Sequence, residues 1–240
     1  MASGNFSGDI EPKEVVERIQ ALEERLAAAS GGRTKLLPVT KAFGSDAVRA
    51  VLATGRRAVG ENYAQEILAK DAELASRDGL ETSTGTQATR PAVDWHMIGR
   101  IQRNKVRQLG GLVLLWQTVD RQSVVDELIR RVPGARILVQ VDPAGSPDKG
   151  GCPPGEVDDL VRRASDGGLT VDGLMTLGVL GNPKATANCF SVVARLADDL
   201  GLRERSMGMT DDMDLAVEHG STMVRTGRAV FGDRPPRARP

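Results

Sequence analysis

Residues 206–227 read SMGMTDDMDLAVEHGSTMVRTG. Short runs at 205–207 and 222–226 predict two strands, and the stretch 211–219 between them predicts a helix. A strand–helix–strand unit returns the chain to the same end of a sheet, so its strands lie parallel. The unit recurs toward the amino terminus. Strands are predicted at 35–40, 58–60, 93–98, 112–116, 136–141 and 171–177, with helices at 45–55, 62–76, 101–109, 121–131, 155–167 and 184–200 between them. A first helix over 11–29 carries Val15, Val16, Ile19, Leu22 and Leu26 on one stripe and ends at Gly31-Gly32. Eight such alternations predict an α/β fold, a single closed (β/α)8 TIM barrel rather than an open doubly wound sheet.

The chain has 240 residues, which suits one such domain over 11–232. The small, polar 1–10 and the basic, proline-rich 233–240 are expected to be disordered. The polar stretch 77–90 reads as a surface insertion, and 142–154 as a Gly/Pro-rich loop after the fifth strand. Lys+Arg and Asp+Glu both number 32, so no bulk charge points to nucleic acid or membrane. The local basic cluster at 100–107 lacks interleaved aromatics in a chain with only 3% of them, which disfavours stacking on RNA bases. Cys152 and Cys189 have neither CxxC spacing nor histidine neighbours and read as reduced thiols, with no metal site. The first nine residues form no apolar leader segment, and no apolar run reaches membrane-spanning length. A cytoplasmic monomer is expected.

In a barrel of this kind the functional face lies at the carboxyl ends of the strands. Those ends carry Lys41, then Glu61-Asn62, then His96, and finally the two clusters of the opening stretch. A lysine at a barrel mouth, partly desolvated or near a cation, has an amine free to attack an aldehyde; it can equally be an ordinary exposed lysine. Ser206, Met207 and Gly208, with Ser221, Thr222, Arg225 and Gly227, combine small residues, hydroxyls and a cation. Loops after the last two strands, followed by a short terminal helix at 227–231, suit a phosphate. The bland alternative is a pair of tight turns needing glycine. Arg225 suits either the phosphate or the ring nitrogen of an aromatic cofactor, or a salt bridge closing the barrel. Asn62 suits a ligand oxygen or a helix N-cap. His96 suits a rim group or a satisfied core histidine. Gln102, Asn104 and Lys105 open the helix after the third strand, and either close over the site or form a solvated first turn. Lysine and phosphate cradle together suggest a phosphorylated aldehyde held as a Schiff base.

The stretches PVTKAF (38–43), VGENYAQE (59–66), DWHMIGRIQRNKV (94–106), GLMTLG (173–178), the opening stretch and AVFG (229–232) follow one another in a fixed order. As an ordered set they resemble the pyridoxal phosphate homeostasis protein family. The resemblance implies a barrel like the N-terminal domain of alanine racemase, binding pyridoxal 5′-phosphate with Lys41 as its Schiff-base lysine. It further implies Ser206, Met207, Gly208, Ser221, Thr222, Arg225 and Gly227 around the phosphate. The family has no established enzymatic activity and is thought to store the cofactor or deliver it to apo-enzymes, in vitamin B6 and amino-acid balance. Two departures stand out: Ala42-Phe43-Gly44 follows the lysine, and Arg228 stands where the family commonly has threonine. A racemase-like enzyme is the alternative. Racemisation needs an acid/base group on each face of the adduct, and racemases of this fold take the second, a tyrosine, from a further β domain; the single tyrosine here is Tyr63. A Schiff-base aldolase is a third reading, but its lysine usually comes from a later strand.

Overall fold

The computed structural model describes residues 11–78, 93–146 and 148–233. The segments expected to be disordered, 1–10 and all of 233–240 but Asp233, and most of the insertion at 77–90 lie outside them. Helix α1 (Pro12–Ser30) precedes eight strands: β1 (Lys35–Pro38), β2 (Ala58–Glu61), β3 (Asp94–Met97), β4 (Val113–Val119), β5 (Arg136–Gln140), β6 (Thr170–Met175), β7 (Glu204–Ser206) and β8 (Met223–Thr226). Between and after them run α2 (Ser45–Ala53), α3 (Ala64–Asp78), α4 (Arg103–Leu109), α5 (Gln122–Arg131), α6 (Val157–Asp166), α7 (Pro183–Asp199), α8 (Met213–Glu218) and the short α9 (Arg228–Phe231).

The strands are all parallel, and β1 pairs with β8, so the sheet curls into a barrel. The last seam, between β1 and β2, closes through a bridge from Val39 to Gly60 and a 3.0 Å bond from the Thr40 N–H to the Gly60 carbonyl. Glycine suits this inward position. A Cβ there would sit 3.1 Å from Val39 and 3.2 Å from Ile98 side-chain carbons.

Strand alternation sorts the side chains into two cores. Outward residues such as Leu36, Val59, Trp95, Trp116, Val139, Leu174 and Val224 pack under the helices. Trp95 and Trp116 are fully buried, and truncating either to alanine is expected to cost about 3–5 kcal/mol. Inward residues Leu37, Leu115, Leu138, Met175 and Met223 form the apolar filling of the barrel. One inward step further, toward the carboxyl end, the filling turns polar: Leu115 gives way to Gln117, Leu138 to Gln140 and Met223 to Arg225.

That step explains the largest boundary difference. The apolar run of the fourth strand stops at Trp116, yet β4 continues to Val119. Gln117 and Thr118 remain in the strand because their buried polar groups find partners, Thr118 through a 2.6 Å bond to the Gly99 carbonyl. A second difference concerns Asn62. Helix α3 starts at Ala64, and the Tyr63 carbonyl accepts from the Glu66 and Ile67 N–H groups, so Asn62 does not cap it. Both cysteines are buried and free, with the Cys152 thiol pushed up to about 12 chiefly by burial. No described helix is long and apolar enough to cross a membrane, and no metal-binding cluster occurs among the described residues.

Candidate functional site

A cavity of about 1310 Å³ opens at the carboxyl ends of the strands. Lys41 enters it from the turn after β1, Asn62 from the end of β2, Arg225 from β8 and Gly227 from the turn into α9. The barrel thus brings together on one wall residues separated by most of the chain.

Arg225 is the electrostatic centre. Its side chain is buried, its Nη1 lies 2.7 Å from Ser206 Oγ and its Nη2 lies 2.8 Å from the Thr176 carbonyl. Burial pushes the guanidinium down to about 10, with Asp212 on the cavity wall acting in the opposite direction. It remains a cation at neutral pH. Behind it Ser206 Oγ reaches Gln117 Oε1 at 2.6 Å, and Gln117 Nε2 reaches His96 Nδ1 at 2.8 Å. His96 does not line the cavity. Burial, helped by the Arg136 charge, holds its imidazole down at about 4.

The remaining candidates from the two glycine-rich clusters are placed elsewhere. Ser206 is fully buried behind Arg225, and Met207 turns outward to pack on Phe190 and Ala216. Gly208 adopts φ +95°, where a Cβ would lie 2.5 Å from that of Ala216, so it lets α8 approach rather than facing a ligand. Ser221 and Thr222 lie at the opposite, amino-terminal end of β8. The Thr222 carbonyl accepts from the Lys35 N–H at the start of β1. Its hydroxyl accepts from the Arg205 N–H at 2.8 Å and donates to Glu204. The Ser221 hydroxyl bonds the Met207 carbonyl at 2.7 Å. A strand rises about 3.3 Å per residue, so Thr222 sits roughly 10 Å below Arg225. Gln102, Asn104 and Lys105 do not line the cavity either.

Two residues that the sequence reading missed do line it. Thr210, one residue past the Ser-Met-Gly-Met cluster, faces the cavity with its Oγ1 2.6 Å from that of Thr226. Its signal was plain in hindsight, a hydroxyl in the first turn leading to α8. Lys149 comes from the long loop after β5 and donates to the Gly178 carbonyl at 2.7 Å. Arg228 ion-pairs with Asp211 at the exposed edge of the cavity.

The donor set fits a phosphorylated aldehyde. An amine, a buried guanidinium and the Thr210 hydroxyl share one cavity, with Gly227 as a bare patch of wall. A Cβ on Gly227 would fall 2.8 Å from the Val39 carbonyl.

Residues 11–235 match the family described as alanine racemase, N-terminal domain. A pyridoxal phosphate homeostasis protein of Aquifex aeolicus is 34% identical over 232 residues, covering 92% of this chain and 95% of its own. The structure of PipY from Synechococcus elongatus with pyridoxal phosphate bound superposes with a TM-score of 0.74 at 29% identity, covering 91% of this chain and all of PipY. Alanine racemase from Corynebacterium glutamicum shares the fold alone, with a TM-score of 0.65 at 17% identity over 96% of this chain and 64% of its own. The chain therefore belongs to the alanine racemase N-terminal domain family and, within it, to the pyridoxal phosphate homeostasis proteins.

Proposed function

We propose that this protein binds pyridoxal 5′-phosphate in the barrel mouth, attached through Lys41, and serves to hold and hand on the cofactor rather than to turn over substrate. The observation that carries the reading is the single cavity shared by Lys41, Arg225, Thr210 and Gly227 in a chain related to PipY, which was solved with that cofactor. The Lys41 amine condenses with the cofactor aldehyde, losing water and leaving a carbon–nitrogen double bond. Arg225 serves the ring nitrogen: a fixed cation there keeps the nitrogen unprotonated and weakens the ring as an electron sink, which suits storage. Thr210 and the Gly227 turn serve the phosphate, with Asn62 at the ring oxygen. Ser206 and His96 act behind this wall. The names of the curated relatives support a homeostatic role. The setting is taken to be the cytoplasm, the protein a monomer, and its partners enzymes lacking their cofactor.

Purified protein is expected to be yellow, and borohydride is expected to fix the cofactor to Lys41 in a mass-mapped peptide. A colourless protein, or label on another lysine, would refute the reading. Amino-acid racemisation above the rate of free cofactor would replace the carrier role with the enzymatic alternative.

A further inference from the structure

Behind the turn that carries Lys41 lies a cluster of three charged side chains. Glu61 ends β2 and is fully buried; Glu66 and Lys70 project from α3, with Lys70 5% exposed. The Lys70 Nζ donates to the Thr40 carbonyl at 2.9 Å, to Glu66 Oε2 at 2.9 Å and to Glu61 Oε2. An ammonium has three donors, and all three are used. Glu66 Oε2 also accepts from the Ala42 N–H at 3.0 Å, and Glu61 accepts from the Thr40 hydroxyl at 3.2 Å. The cluster thus grips the backbone immediately before Lys41 and immediately after it.

The gripped segment is unusual. The Phe43 N–H bonds the Thr40 carbonyl at 3.0 Å, closing a turn with Lys41 and Ala42 at its centre. Ala42 has φ +67°, and among the described residues it is the only non-glycine with positive φ. A negative φ followed by a positive one is the type II pattern, which favours glycine at the second central position. With alanine there, the Cβ crowds the carbonyl and the turn tends to relax away. Glu66 and Lys70, four residues apart on one face of α3, oppose that relaxation from both sides.

On the reading that Lys41 is the attachment lysine, we propose that Glu66 and Lys70 are positioning residues for it. They hold Ala42 in its left-handed conformation and thereby keep the Lys41 side chain aimed into the cavity. Lys70, with every donor taken, is the anchor rather than a second reactive amine.

The test compares wild type, Glu66→Ala, and Glu66→Ala combined with Ala42→Gly. In protein freed of cofactor, hydrogen exchange at the Ala42 amide is expected to quicken roughly tenfold in Glu66→Ala. Titration with pyridoxal phosphate, followed by its absorbance, is expected to show affinity weakened roughly tenfold. Adding Ala42→Gly, which relieves the crowding at positive φ, is expected to restore most of the lost affinity although no side-chain contact is rebuilt. A purely structural ion pair would not be rescued this way. Unchanged exchange and affinity in Glu66→Ala, or no recovery on adding Ala42→Gly, overturns the proposal. Should Glu66→Ala fail to fold, Glu66→Gln, which keeps an oxygen for the Ala42 N–H but loses the charge, takes its place with the same outcomes at smaller amplitude. If wild type itself takes up no cofactor, the attachment reading fails, and the exchange measurement alone decides whether the clamp exists.

Discussion

The 2.7 Å contact between Arg225 Nη1 and Ser206 Oγ sets the direction of every hydrogen bond behind it. A guanidinium only donates. Ser206 therefore accepts from Arg225, and its own hydrogen goes to Gln117 Oε1. That fixes the Gln117 amide with Nε2 toward His96, so the His96 Nδ1 accepts and the ring carries its proton on Nε2. Burial, helped by the Arg136 charge, keeps the same ring neutral. One buried cation on the cavity wall is thus tied to a neutral histidine in the barrel interior.

Ser206→Ala is expected to orphan a donor of Arg225 and the Gln117 carbonyl at once, both buried. Each unsatisfied group costs about 1–3 kcal/mol, so a loss of roughly 2–6 kcal/mol is expected in urea unfolding. Cofactor retention is expected to fall as well, because the guanidinium loses one of its two fixed acceptors. A stability change under about 0.5 kcal/mol, the range of ordinary surface substitutions, would contradict the chain of bonds.

His96 gives an acid-sensitive window. Its folded pKa lies near 4, below the ordinary imidazole value of 6.5, so the unfolded chain binds a proton that the folded chain refuses. Its stabilising contribution is complete above pH 6.5 and is lost as pH falls toward 4. The slope from this residue is up to about 1.4 kcal/mol per pH unit. His96→Gln is expected to lower stability at pH 7 and to flatten this limb. Parallel wild-type and mutant curves between pH 7 and 4.5 would show that His96 is not the titrating group.

Gly99 links barrel closure to the site. A Cβ on it would lie 2.0 Å from the Asn62 carbonyl oxygen, a backbone atom that cannot swing aside. Gly99→Ala is expected to displace the loop after β2, carrying Asn62 with it, and to cost more than about 3 kcal/mol or leave the protein insoluble. Gly55→Ala makes the contrast: no atom lies within 4 Å of a Cβ there, and only its φ of +82° opposes the change. That cost is about 1–2 kcal/mol with no effect on cofactor retention. Thermal unfolding of both variants, with absorbance titration, checks the pair.

Strand count, parallel order and the cavity face were readable because outward positions repeat apolar residues every second place while amphipathic helices separate them. Lys41 and Arg225 were readable because one follows the first strand and the other lies near the carboxyl end of the last. What was lost follows from the barrel interior. A buried strand continues through Gln117 only because Ser206 and His96 satisfy it, and no local pattern announces partners 89 and 21 residues away. The Glu61–Glu66–Lys70 cluster was hidden for a similar reason, since charged residues on a helix ordinarily face water. Met207 and Gly208 were drawn into the site by adjacency, although the first turns outward under α7 and α8 and the second makes room for α8. His96 was drawn in by its strand position, one layer too high.

Thr210 and Thr222 make the sharpest test of which hydroxyls belong to the site, because sequence proximity to glycine favours Thr222 and the cavity lining favours Thr210. Thr222 follows Gly220-Ser221, but its hydroxyl is held between the Arg205 N–H and Glu204 at the foot of β8. Thr210 lines the cavity beside Gly227, with Thr226 as its hydroxyl partner. Valine matches threonine in shape and lacks the hydroxyl. Thr222→Val is expected to cost about 1–2 kcal/mol through the lost bonds and to leave cofactor affinity within error. Thr210→Val is expected to cost less than about 1 kcal/mol in stability, its hydroxyl bond being only partly buried, while weakening cofactor affinity roughly tenfold through one lost charge-assisted bond. Both quantities come from the same pair of experiments, urea unfolding without cofactor and absorbance titration with it. If Thr222→Val weakens binding while Thr210→Val does not, the phosphate lies elsewhere and the assignment of the cradle to the Thr210–Gly227 wall is wrong.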